Sequence, residues 1–299
     1  MTKERIIHYR IPNSYEGHKI SEFLRNQGIS TKSIIRLKSD VENVLLNDEP
    51  GFINRILKKD DRLTLCVKEL ESSKKIPPVD LPLSIIYEDE DILIVNKPAN
   101  MPIHPSMNNY ENTLGNAVAY YYMKKGEPFL YRCINRLDRD TTGVLVLAKN
   151  PLSGALLSAQ MKQRQIRRTY LALTDGITPE KGTISAPIAR MDDSVITREV
   201  NFEHGETAVT HYERLDVNDG YSLVELHLDT GRTHQIRVHM KYIGCPLPGD
   251  FLYYPDFDRI SRQALHSFQL EFTHPITGKP MRFLAPVPED FLNAFHFYH

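Results

Sequence analysis

Residues 134–150 read INRLDRDTTGVLVLAKN, a polar run followed at once by an apolar one. Arg136, Asp138, Arg139 and Asp140 crowd ahead of Thr141, Thr142 and Gly143, and Val144 to Ala148 carry no polar side chain. A short, continuous apolar run is the pattern of a strand buried on both faces. The loop before it can present charged side chains at the surface of a sheet, while the strand fixes where they point. Asp138 is then a carboxylate whose charged form the nearby Arg136 favours. An aspartate that caps a turn and pairs with a surface arginine accounts for the same residues.

Outward from this strand, the pattern stays β-rich. LSIIYEDEDILIVNKP, ending at Pro98, reads as two apolar strands around an acidic turn. Further strands are expected at 169–176, 211–217, 221–228 and 264–273, with helices at 112–125, at 150–164 and after Gly231. Strands outnumber helices and are separated mostly by turns, which predicts an α+β fold with a large mixed or antiparallel sheet flanked by helices and loops. Composition shifts at 71–82, ESSKKIPPVDLP, where three prolines cannot continue a helix or an inner strand. The predicted organisation is an N-terminal domain over 1–74, a linker over 75–82 and the main domain over 83–299.

The chain has 299 residues with 37 Lys and Arg against 38 Asp and Glu. That sum excludes a protein holding nucleic acid by bulk positive charge. The distribution is less even. Through Ile76 there are 15 basic and 11 acidic residues, a net +4, and the remainder is −5. Cys66, Cys133 and Cys245 form no C-x-x-C pair, which argues against a disulfide framework or a cysteine-rich zinc site. With no signal-peptide core and no long apolar run, the expected location is the cytoplasm.

In the N-terminal segment, HKISEFLRNQG predicts a helix with Ile20, Phe23 and Leu24 inward and Gly28 as its stop. Ser30 should cap a second helix with Ile34, Ile35 and Leu37 inward and Lys32 and Arg36 together on its other face. Strands are expected in VENVLLND and DRLTLCVKE. Two basic helices followed by strands resemble the S4 RNA-binding domain, although Asp40 and Asn47-Asp48 stand where that domain commonly has glycines. An ordinary α+β domain with a solvated basic face fits the same pattern.

Two more stretches carry candidate chemistry. In TGRTHQIRVHMKYIGCPLPGD, residues 230–250, Thr233 is the expected helix cap, Gly244 the stop, and Ile236, Met240 and Ile243 the buried face. Arg237 is expected on a more polar face. His234 and His239 lie five apart, about 140° around a helix, which does not suit a shared metal. In QRQIRRTYLAL, Arg164, Arg167 and Arg168 precede Tyr170. Such a cluster suits RNA, where arginines meet phosphates and a ring meets an unstacked base. A basic helix end with Tyr170 in the core is the alternative.

Taken in order, NKP (96–98), HPS (104–106), RLDRDTTG (136–143), RRTYLAL (167–173), GETAVTHY (205–212), TGRTHQIRVH…GD (230–250) and LH…HP (265–275) resemble the RluA family of pseudouridine synthases. The resemblance implies conversion of uridine to pseudouridine in RNA, by detaching uracil from C1′ and rejoining it through C5. It implies that Asp138 is the catalytic aspartate, that Arg136 fills the space left by the flipped nucleotide, that Tyr170 stacks on the base, and that Arg237 pairs with Asp138. Such an isomerisation is redox-neutral and implies neither cofactor nor metal. The implied partner is structured RNA, with large-subunit ribosomal RNA first and transfer RNA second, and Lys32, Arg36, Arg167 and Arg168 are further candidate contacts. No membrane or obligate protein partner is implied. Asn135 departs from the pattern, since histidine is usual there. A protein that kept the fold as an inactive RNA-binding or assembly factor is the rival reading.

Overall fold

A computed structural model describes residues 3–295 apart from Ser39, 70–71, Lys74 and 107–108, and the side chains of Lys32 and Val41 are also outside the described set. The N-terminal unit comprises β1 (Lys3–Arg10), α1 (Ile20–Asn26), α2 (Thr31–Leu37), β2 (Val44–Leu46), β3 (Glu49–Pro50) and β4 (Arg62–Glu69). Its strands form an antiparallel sheet in the order β1-β4-β2-β3. Gly28 turns the chain after α1 with φ +85°, a conformation only glycine adopts freely. The Ser30 hydroxyl accepts from Ser33 N, capping α2. Ile34 and Leu37 are buried, but Ile35 is 60% exposed, contrary to expectation. The inward face of this two-turn helix is the i, i+3 pair Ile34 and Leu37, and Ile35 lies off it.

The main unit contains β5 (Ser84–Glu88), β6 (Ile92–Lys97), α3 (Leu114–Lys125), β7 (Thr142–Ala148), α4 (Pro151–Lys162), β8 (Arg167–Asp175), β9 (Lys181–Ser185), β10 (Ile188–Arg190), β11 (Arg198–Val200), β12 (Val209–Asn218), β13 (Tyr221–Leu228), α5 (Gln235–Tyr242), β14 (Leu265–Thr273), β15 (Pro280–Leu284) and α6 (Glu289–Phe295). Nine strands make one mixed sheet along the path β5-β6-β7-β14-β8-β13-β12-β9, with β15 beside β14. Every residue of β7 is buried, as its apolar run requires. It runs parallel to β14 at Thr142 and Gly143, and the other pairings in the sheet are antiparallel. At that crossing, a Cβ on Gly143 would sit 2.1 Å from the Ser267 carbonyl oxygen. The glycine of RLDRDTTG is therefore demanded by the approach of β14.

The two units share a core. Leu152 and Leu156, on α4, pack into the apolar cluster of the N-terminal unit with Ile20, Phe23, Leu24 and Leu65. Arg5 forks onto Asp91 at 3.0 and 2.8 Å. Arg132 pairs with the buried Glu69 at 2.6 Å. The proline-rich connection is strapped down as well: Asn116 donates to the Pro77 carbonyl at 2.7 Å, and Tyr131 N donates to the Ser73 hydroxyl at 2.8 Å.

Candidate active site

The loop 136–140 reaches the centre of the sheet from the N-terminal end of β7. It is held from behind by Lys97, which is fully buried and gives its ammonium to the carbonyls of Pro98, Met101 and Arg139 at 2.7, 2.9 and 2.8 Å. Burial pulls Lys97 down to about 7, with the Asp140 and Asp138 carboxylates opposing. Asp140 accepts from Asn100 N at 3.0 Å and tightens the same corner.

Asp138 is thereby presented with its side chain about one-quarter exposed. Its Oδ2 accepts from Arg237 Nη1 at 3.0 Å. Arg237 is 2% exposed, not on a polar face as its helical position suggested. The reason is Asp250, which takes Arg237 Nε and Nη2 at 2.7 Å each. Asp250 in turn accepts from Leu252 N and Tyr253 N, so its position is set by backbone. Burial opposes the charge on Arg237, but the Asp250 hydrogen bonds and the Asp138 field outweigh it and raise its pKa above the usual arginine value. Asp138, Arg237 and Asp250 form a straight chain of command: backbone holds Asp250, Asp250 holds Arg237, and Arg237 holds Asp138. The partner of Asp138 is thus Arg237, and Arg136 is exposed with no hydrogen bond or ion pair among the described residues.

Helix α5 begins at Gln235, and the cap is His234 in the left-handed region at φ +58°, not Thr233. The loop before it is tied by Gln235, whose side-chain oxygen accepts from Thr230 Oγ1 and Arg232 N at 2.7 and 2.9 Å. Its amide donates to Val209 O and Thr210 Oγ1 at 3.0 Å each. His234 Nδ1 meets the Tyr253 hydroxyl at 2.9 Å, and Nε2 lies 4.0 Å from Asp138. Burial lowers its pKa against the pull of Asp138. His239 bonds Thr210 Oγ1 and the Ala186 carbonyl, so the two histidines serve different partners.

A cleft of about 740 Å³ opens over this arrangement, lined among others by Arg136, Asp138, Arg164, Arg168, Tyr170 and Arg232. Tyr170 is 5% exposed and packs in the main core, yet it also lines the cleft. Arg168 and Tyr170, two apart on β8, share a face. Arg167 points to the other side and borders a neighbouring recess with Glu271 and Arg282. Lys32 and Arg36 lie on α2, away from the cleft lining, and the Lys32 side chain is outside the described residues. Asp250, Gln235 and Lys97 are site residues that the sequence alone does not single out. Asp250 and Gln235 stand inside the TGRTHQ…GD motif and Lys97 inside NKP, which is the available signal.

Asp89, Asp91 and His274 come close enough to suggest a cation site. Their atoms are engaged by the protein instead. His274 Nε2 bonds Asp89 at 3.0 Å while its Nδ1 accepts from Ile276 N and Thr277 N. Asp91 takes Arg5, Asn150 and Ser153. This knot joins the N-terminal unit to the start of α4.

Residues 91–242 match the family model described as RNA pseudouridylate synthase. An uncharacterized RNA pseudouridine synthase of Bacillus subtilis, YhcT, is 38% identical over 99% of this chain and 98% of its own length. The chain belongs to the RNA pseudouridylate synthase family. A ribosomal large subunit pseudouridine synthase D of Haemophilus ducreyi is 34% identical to this synthase over 98% of the chain and 94% of that protein. The solved structure of human RNA pseudouridylate synthase domain containing 1 superposes with a TM-score of 0.59 at 30% identity, covering 74% of this chain and 89% of that one. The synthase is an isomerase acting on uridine in RNA, and its mixed sheet is that of its structural relatives.

Proposed function

We propose that Asp138 is the carboxylate that performs the isomerisation, in the cleft between β8 and the 228–233 loop. The observation that carries this is Asp138, one-quarter exposed and oriented by a buried arginine that the buried Asp250 carboxylate clamps. A carboxylate used to attack carbon or to remove a ribose proton must be aimed at the reacting atom, and the bond from Arg237 fixes its direction. A base within a helix is out of reach, so the nucleotide must leave the stack. Arg136, exposed and unpaired among the described residues, is suited to enter the vacated space, and the Tyr170 ring offers a wall for the extruded base.

The RNA is proposed to be ribosomal, on the strength of relatives named as ribosomal large subunit pseudouridine synthases. The N-terminal unit, S4-like in its helix pair, is proposed to contact that RNA through the α2 face bearing Lys32 and Arg36, with Arg167 and Arg168 as further contacts. Pseudouridine mapping of total RNA from cells with the wild-type chain, with Asp138→Asn, and without the gene tests the reading. Modified positions should vanish in both altered strains while the variant protein keeps its melting temperature. Wild-type levels of modification by Asp138→Asn would overturn it.

A further inference from the structure

The lining of the cleft has a one-sided defect in its hydrogen bonding. Among the described residues, two buried side-chain polar atoms on its walls have no partner, Asn135 Nδ2 and Arg168 Nε, and both are donors. Asn135 is 3% exposed. Its amide orientation is determined, because Oδ1 accepts from Val146 N on β7 at 3.0 Å and only the oxygen can do so. The nitrogen is therefore the end left over. Arg168 stands on the other wall, on β8, beneath Gly231. Its Nη2 reaches the Thr230 carbonyl only at 3.4 Å, and a Cβ at Gly231 would press to 3.2 Å on Nη1. Leaving a buried donor unmatched costs about 1–3 kcal/mol, so two in one cleft point to a ligand that brings acceptors.

Resting on the reading that this cleft receives the target nucleotide, we propose that Asn135 and Arg168 are the donors that take its acceptor oxygens, which makes Asn135 a substrate-contacting residue. The geometry gives Asn135 a divided task. Its oxygen anchors residue 135, three positions before Asp138, to β7, and its nitrogen reads RNA. The shared chemistry is an oxygen acceptor, which the uracil carbonyls and the ribose or phosphate oxygens all provide. Arg136, the adjacent residue, is exposed and has no hydrogen bond or ion pair among the described residues.

Asn135→Asp separates the two tasks, because it retains an acceptor for Val146 N and loses the donor. The full-length wild-type chain, Asp138→Asn, Asn135→Asp and Asn135→Ala are compared in single-turnover assays on an RNA fragment carrying a mapped site. Wild-type turnover absent in Asp138→Asn establishes the underlying reading independently. Asn135→Asp should then stay folded with a melting temperature lowered by its unpaired buried carboxylate and, assayed below that melt, raise the half-saturating RNA concentration about tenfold, the order of one lost hydrogen bond. Asn135→Ala should also lower the melting temperature. Repulsion by the new carboxylate is separated from the lost bond by substrates with 2-thio, 4-thio, 2′-deoxy or phosphorothioate substitution at the target. One of them should weaken wild type and leave Asn135→Asp unaffected, and which one does so identifies base or backbone as the acceptor. Unchanged half-saturation in Asn135→Asp, or equal losses with every substituted RNA in both proteins, overturns the proposal.

Discussion

Asp250→Asn is the change that most directly tests whether the site works as a chain of buried charges. Asp250 is 1% exposed and accepts two bonds from Arg237 and two from backbone N–H groups. Asparagine offers one oxygen where two are used, and its NH₂ would face a guanidinium N–H, donor against donor. Arg237 is too buried for water to replace the missing partner. Breaking such a pair costs about 3–5 kcal/mol, which for a chain of this size lowers the melting temperature by roughly 10 °C. The arginine plane then loses its anchor, and a shift of ~1 Å at Asp138 is worth on the order of a hundredfold in rate. Thermal melts followed by circular dichroism give the first quantity. Single-turnover pseudouridine formation at a temperature below either melt gives the second. A variant that is destabilised but turns over at the wild-type rate would refute the claim that Asp250 acts on Asp138 through Arg237. A variant unchanged in both would refute the energetic reasoning as well.

Glu88 provides a pH prediction. Burial would raise its carboxyl, but bonds from Lys149, Tyr121, Lys125 and Tyr122 outweigh that and bring it down to about 2 from 4.5. Since the folded value is the lower, the stabilisation, roughly 3 kcal/mol, is present above pH 4.5 and is lost as pH falls toward 2. Denaturant titrations near neutral pH and in mild acid should show the advantage of wild type over Glu88→Gln shrinking at the lower pH; an advantage that does not change with pH contradicts the assignment. Lys97→Met should cost about 3 kcal/mol, because three carbonyls lose their donor, and should lower turnover by freeing the Arg139 end of the loop that presents Asp138. Full activity in that variant would remove Lys97 from the positioning of Asp138. Deleting residues 1–76 should expose Leu152 and Leu156, raise binding of an apolar dye and lower the melting temperature, whereas an unchanged melt would show that docking onto α4 contributes little.

Local pattern makes much of the sheet legible. The runs that form β5, β6, β7, β8, β12, β13 and β14 are apolar or alternating over five or more residues, and tertiary context does not override them. β1 is hard to see because KERIIHYR is rich in charged and titratable side chains. Its alternation shows only when Arg5, Ile7 and Tyr9 are seen on the covered face, with Ile6 left 49% exposed. Ile35 misleads for the opposite reason, being apolar on a helix too short to bury every apolar position. The proline-rich stretch reads as a semi-rigid connection at a domain boundary. What periodicity cannot show is that α4 gives Leu152 and Leu156 to the other unit, since an apolar helix face does not name its partner.

The site divides along the same line. Asp138, Arg136, Tyr170 and Arg237 are legible because they lie in dense motifs, and all four line a small recess beside the cleft. Arg237 is nevertheless expected on a polar face, because helix position alone treats a charged side chain as solvent-seeking. Its burial follows from two carboxylates, one 99 residues away and one 13. Asp250 reaches it by way of Gly249, whose φ is +73° and whose Cβ, if it had one, would stand 2.1 Å from the Arg262 carbonyl oxygen, so no other residue fits. A glycine-aspartate pair after a helix reads as a turn when taken locally. Only the fold shows that this turn aims a carboxylate at an arginine that aims another. The near-zero net charge acquires its meaning here too: opposite charges are matched to each other inside the protein, as Arg237 is with Asp250 and Asp138, while Arg136 stays exposed with no hydrogen bond or ion pair among the described residues.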